Sequence, residues 1–238
     1  MKYIIHTKSS AEGFDRLLQV ILKWDLDEKT KHQFSHLNTD KVRRVIYKMA
    51  TYGWYIDDFS KNSDIDTNKC IKLIYNNLPH KLDEYLFNYY KSNSKNIKDR
   101  LIKAYPTREI ILNEVFEAYK IGLFHSSISL LITQIDGICD DILGAKFFLN
   151  KNYLPQIKEK LEEKDIKYSI FLLSPINKKA TVNGWEGEIN KFPVRLNRHE
   201  IIHGVDKGYG NEINFFKVLS MISYIDMILS HFNLQSVE

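Results

Sequence analysis

The stretch NEINFFKVLSMISYIDMILSHF, residues 211–232, constrains this chain more than any other. Its apolar residues (Ile213, Phe215, Phe216, Val218, Leu219, Met221, Ile222, Tyr224, Ile225, Met227, Ile228 and Leu229) fall nearly all round a helix rather than on one stripe. Such a helix needs cover on every side, so it belongs at the centre of a bundle. Lys217 and Asp226 interrupt the apolar run, which argues against a membrane span.

The covering helices are legible in the helical period of the preceding sequence. Residues 10–24 carry Phe14, Leu17, Leu18, Ile21 and Leu22 on one stripe. Further helical patterns lie at 40–56, 68–77, 80–91 and 95–104, with a polar loop at 57–68. Pro79 and Pro106 punctuate the series. Thr107 can cap a helix that turns Ile110, Ile111, Val115, Phe116 and Tyr119 inward and stops at Gly122. A long helix follows at about 124–144, then a charged one at 153–164. Residues 167–174 fit either a strand or a buried helix, and 181–193 read as looser chain. The expectation is an all-α protein: an N-terminal helical region over 1–105 and a helical bundle over 106–238. The aromatic residues of the first region (Trp54, Tyr55, Phe59, Tyr85, Phe87, Tyr89, Tyr90) are spaced as core, with an RNA-stacking surface as the alternative.

The 238 residues suffice to bury a core without covalent staples. Lys and Arg outnumber Asp and Glu by 34 to 30, a net charge of +4 that permits a polyanionic partner without requiring one. Cys70 and Cys139 both lie in apolar helical patterns and show no C-x-x-C spacing, so buried thiols in a reducing compartment are expected. MKYIIHTKSS lacks the apolar core of a signal peptide, and the expected location is the cytoplasm.

The chemistry concentrates in LNRHEIIHG, residues 196–204, which supports two readings. In the first, His199-Glu200-Ile201-Ile202-His203 is H-E-x-x-H. Histidines four apart sit about 40° apart around a helix and can share one zinc ion, with Glu200 about 100° away to polarise a bound water. A catalytic zinc needs a third protein ligand: Asp206 and Tyr209 stand where a metzincin needs Gly and His, Glu212 comes too soon after His203 for a gluzincin, and nothing singles out Asp226 or His231, the candidates that remain. Glu200 also has an ordinary role, at the third position of a helix capped by Asn197, or as a surface acid if the helix starts at Pro193. Gly204 suits the left-handed position that ends the helix.

In the second reading Arg198 and His203 form a metal-free ribonuclease pair. They lie five apart, about 140° around one helix, so two copies facing across a twofold axis aim them at one point more readily than one copy does. RNA carries its own nucleophile, the 2′-hydroxyl. A histidine moves the proton and a forked, permanently charged arginine holds the phosphate.

LNRHEIIHGVDKGYGNEINFFKVLSMISYIDMIL resembles the C-terminal signature of the HEPN superfamily, whose bacterial members carry R-x4-6-H. The matching positions are Asn197-Arg198-His199, Ile201-Ile202, His203-Gly204, Tyr209-Gly210, Asn214 and the apolar helix after it. EAYKIGLFHSSISLLITQIDGICDDILG, residues 117–144, resembles the helix pair preceding that motif. The resemblance covers about 106–238. It implies a metal-independent endoribonuclease without cofactor, with RNA as partner and a homodimer sharing a composite site. His203 is then the general acid/base, Arg198 the phosphate binder, and His199 a group that positions one of them or touches substrate. It also implies a toxin, abortive-infection or antiviral-defence setting with an antitoxin or defence partner. Some members are silent and only bind RNA or an adaptor partner. Asp136, in QIDG, either pairs with Arg198 or His199 across the bundle or faces water with Asp140.

Overall fold

The computed structural model describes residues 40–57, 65–151, 154–163, 174–176 and 178–234. The helix expected at 10–24, Phe59 and most of 167–174 lie outside them. The architecture is all-α. Helices run α1 (Asp40–Thr51), α2 (Thr67–Tyr75), α3 (Pro79–Ala104), α4 (Glu109–Lys120), α5 (Phe124–Leu143), α6 (Gln156–Glu163), α7 (Arg198–Ile202) and α8 (Glu212–Leu234). Short 3₁₀ turns occupy Pro106–Arg108 and Glu186–Lys191, and one two-residue antiparallel pair joins Asn150–Lys151 to Leu154–Pro155.

Helix α8 takes the central place its composition demands. It packs against α5 on one side and α3 on another, and α4 pairs with α5. Its stretch Glu212–Ser230 is apolar and long enough to cross a membrane by length and composition, but 83% of that window is buried inside the protein. Aromatic contacts knit the layers: Tyr119 stacks on Phe215 with centroids 4.3 Å apart, and Phe87 meets Phe216 edge-on at 5.2 Å. Trp54, Tyr55 and Tyr90 are fully enclosed, so these aromatics of the first region are core. One continuous core runs from Val45 in α1 to Leu229 in α8.

The two charges that interrupt the apolar run of α8 have partners. Lys217, 3% exposed, pairs with Asp83 at 3.2 Å, and burial pushes its ammonium down from the ordinary lysine value. Asp226 accepts from Arg100 Nε at 2.9 Å, and the same guanidinium reaches Asp57 at 3.4 Å. Ser223 donates to Asp57 and accepts from Arg100, and Tyr90 donates to Asp57 at 3.0 Å. This network ties the chain after α1 to α3 and α8. Cys70 and Cys139 are buried free thiols, and burial pushes Cys70 up to about 12.

Three local expectations differ from the structure. The patterns at 80–91 and 95–104 are one 26-residue helix, with Pro79 at its first turn. The polar run between them holds no glycine or proline, and Tyr90, Ile97 and Leu101 continue one buried face beneath it. Thr107 lies inside the Pro106–Arg108 turn, and α4 starts without a side-chain cap. Ile110 is 75% exposed because it lies two residues, about 200° of helical rotation, from Leu112, opposite the buried face of Leu112, Val115 and Phe116.

Candidate active site

The short helix α7 is held in place by its N-cap. Asn197 is fully buried, and its side-chain oxygen accepts from the N–H groups of His199 (3.0 Å) and Glu200 (3.3 Å). Its amide nitrogen donates to the carbonyls of Thr181 (3.0 Å) and Gly184 (2.9 Å). One side chain therefore fixes α7 to the loop before Trp185. Arg198 N–H donates to Val182 O at 3.0 Å and strengthens that joint. Gly204, at φ +70°, ends the helix in the left-handed conformation that favours glycine. Beyond it, Tyr209 hydrogen-bonds Ser129 of α5 at 2.7 Å and packs edge-on against His125 at 4.8 Å.

Asp136 and Arg198 meet across the bundle. The Arg198 guanidinium approaches Asp136 Oδ2 at 3.8 Å, while Asp136 Oδ1 accepts from the Phe148 N–H at 2.8 Å. The guanidinium also lies 5.6 Å from the centre of the Phe148 ring. One carboxylate thus pairs with the arginine and bonds the backbone of the residue whose ring lies beside it, and Arg198 keeps a third of its side chain open to solvent. Asp140 is the residue that faces water. His199 and His203 are both exposed, with ring centroids 4.3 Å apart, as their spacing predicts.

Glu200 has a different fate. It is 6% exposed, and both carboxylate oxygens accept from Arg195, at 2.8 and 2.6 Å. The start at Asn197 is the one realised, with Glu200 at the third helical position, but its acid turns to Arg195 rather than to solvent. A carboxylate so engaged is not placed to polarise a metal-bound water. Among the described residues, no third His, Cys, Asp or Glu joins His199 and His203 in a group that could hold a metal ion.

Arg198 and His199 open onto a cleft of about 270 Å³, lined also by Phe148, Val182, Asn183, Gly184 and Trp185. His203 is reached through its ring contact with His199 rather than through the cleft. The structure thus gathers Arg198, His199 and Asp136 with their neighbour His203. The cleft walls, Phe148 and Trp185, escaped the sequence reading. The available signal was a tryptophan directly after Asn183-Gly184 in a chain segment with no helical period.

The chain matches no family model, no curated protein and no solved structure.

Proposed function

We propose that this protein is a metal-independent endoribonuclease of HEPN type. The observation that carries this reading is an arginine held by Asp136 and Phe148 beside a contacting pair of exposed histidines, at the mouth of an open cleft. A preset cation aimed at solvent costs little reorganisation when a phosphate arrives.

In this mechanism Arg198 binds the scissile phosphate. His203 takes the proton of the 2′-hydroxyl as its oxygen attacks phosphorus. The 2′-O–P bond forms, the P–O5′ bond breaks, and the 5′-oxygen leaves with a proton delivered by an imidazolium. His199, in contact with the His203 ring, orients it or serves as the second proton-transfer group. A homodimer that sets two such helices face to face supplies two arginines and two histidine pairs to one phosphate track.

The test is cleavage of a mixed RNA pool in EDTA by wild type, Arg198→Ala and His203→Ala, with product ends analysed. Fragments bearing 2′,3′-cyclic phosphate and 5′-hydroxyl ends, lost in both variants, are expected. Wild-type activity in His203→Ala, or loss of activity on chelation, sinks the proposal. Sedimentation at several concentrations tests the dimer, and a strictly monomeric chain removes the composite site.

A further inference from the structure

We infer that the cleft beside Arg198 is a receptor for one unpaired base of a single-stranded RNA, with Trp185 as its stacking platform and Asn183 as its hydrogen-bond donor. The inference rests on the ribonuclease reading for the identity of the strand. It shares the cleft and Arg198 with that reading and adds geometry which the reading does not use, the mounting of Trp185 and the amide of Asn183.

Trp185 is 55% exposed, yet its mounting is rigid. The turn before it is pinned by Asn197 through the carbonyls of Thr181 and Gly184, and by the Ala180 N–H, which donates to Asn183 Oδ1 at 2.8 Å. Gly184 is packed so closely that an added Cβ would lie 2.5 Å from the Phe192 ring. Lys179, itself paired with Glu188 at 2.6 Å, places its ammonium 5.4 Å from the centre of the Trp185 ring. An exposed indole on a fixed loop is preorganised to stack and loses little entropy on binding.

Asn183 supplies the second observation. It is 8% exposed and lines the cleft. Its oxygen must face the Ala180 N–H, which can only donate, so the amide NH₂ points elsewhere. Among the described residues no acceptor takes those two N–H groups, an uncommon state for a buried amide. Every nucleobase offers a carbonyl or ring-nitrogen acceptor to such a donor. The cleft, about 270 Å³, lies just under the roughly 300–1,000 Å³ of sites for larger small molecules, which suits one planar base. Arg198 on the same wall holds the phosphate attached to that base. A paired base is stacked within its duplex and does not reach the indole.

The experiment measures binding of a dye-labelled, single-stranded 2′-O-methyl oligoribonucleotide to the full chain by fluorescence anisotropy. The blocked 2′-hydroxyl prevents cleavage, so binding is read apart from catalysis. Trp185→Ala weakens binding by about tenfold or more, the scale of one lost base stack, and Trp185→Phe restores most of it. Asn183→Asp keeps the oxygen that serves Ala180 while replacing the donor, and also weakens binding. An oligonucleotide with one abasic position binds wild type weakly and no longer distinguishes Trp185→Ala. Equal affinity of wild type and Trp185→Ala overturns the base site, as does tighter binding of duplex than of single strand, or no binding at all. Cleavage that survives Trp185→Ala with unchanged KM overturns the base site alone. Trp185-dependent binding by a chain that cuts no RNA preserves the base site and defeats the ribonuclease.

Discussion

Asn197 joins the motif helix to the cleft, and replacing it tests whether the two are one unit. Asn197→Ala removes an N-cap, which contributes about 1 kcal/mol. It also strips donors from two carbonyls, Thr181 O and Gly184 O, in a residue that is fully buried. Carbonyls tolerate a lost partner better than N–H groups, so about 1 kcal/mol each is the appropriate figure. The sum is about 3 kcal/mol, or a fall in Tm of roughly 6–12 °C for a domain of this size. Asn197→Ser separates the contributions, because the serine oxygen still caps while no donor reaches the carbonyls. It should lose about 2 kcal/mol, leaving about 1 kcal/mol between the two variants as the cap. Thermal and urea denaturation followed by far-ultraviolet circular dichroism measure both. Freed from its anchor, the loop also lets the Trp185 environment change, which near-ultraviolet dichroism reads. A loss below about 0.5 kcal/mol in Asn197→Ala, the range of ordinary surface substitutions, would refute the joint.

Glu200→Gln should leave RNA cleavage in EDTA near wild type, because the carboxylate serves Arg195 and no reacting group; abolished activity in a well-folded variant contradicts this. Arg100→Met leaves Asp57 and Asp226 without their cation and should cost about 2–3 kcal/mol in urea denaturation. That is below the ~3–5 kcal/mol of a fully enclosed pair, because Arg100 is 47% exposed and water compensates in part. Stability should decline as pH rises from 9 towards 12. Burial raises Cys70 from 9.0, and burial with the bond to Glu212 raises Tyr119 from 10.0, each to about 12. The folded chain then holds these protons more tightly than the unfolded one. Their contribution is complete below the unfolded values and is lost as pH rises through the folded ones. Lys217 is shifted downward and opposes this trend below 10.5, so Lys217→Met should steepen the decline; a flat profile in both proteins excludes the account. Neither thiol should react with iodoacetamide in the native protein, and both should in denaturant.

Local chemistry in the chain determined a good deal. An all-round apolar helix has one stable place, and α8 occupies it. The start of α7 at Asn197 and its stop at Gly204 follow from short-range hydrogen bonding and from glycine's access to positive φ, which neighbouring residues alone decide. The shared face of His199 and His203 follows from helical pitch. For Asp136 the sequence left two partners and a solvent-facing alternative open, because helical period does not reveal which side chain meets which across a bundle.

Tertiary structure decided the rest. Only packing of α7 near α5 brings Arg198 to Asp136, residues far apart in the chain. Only enclosure turns Glu200 from the apparent general base of H-E-x-x-H into the buried partner of Arg195. Only the fixed 180–185 turn carries Trp185 to the Arg198 cleft, in a segment with no period to read. Caps, stops and faces are set by a few neighbouring residues. A site assembled from separate segments exists once the core has closed, since distance and desolvation, not residue type, decide which charges and rings act together.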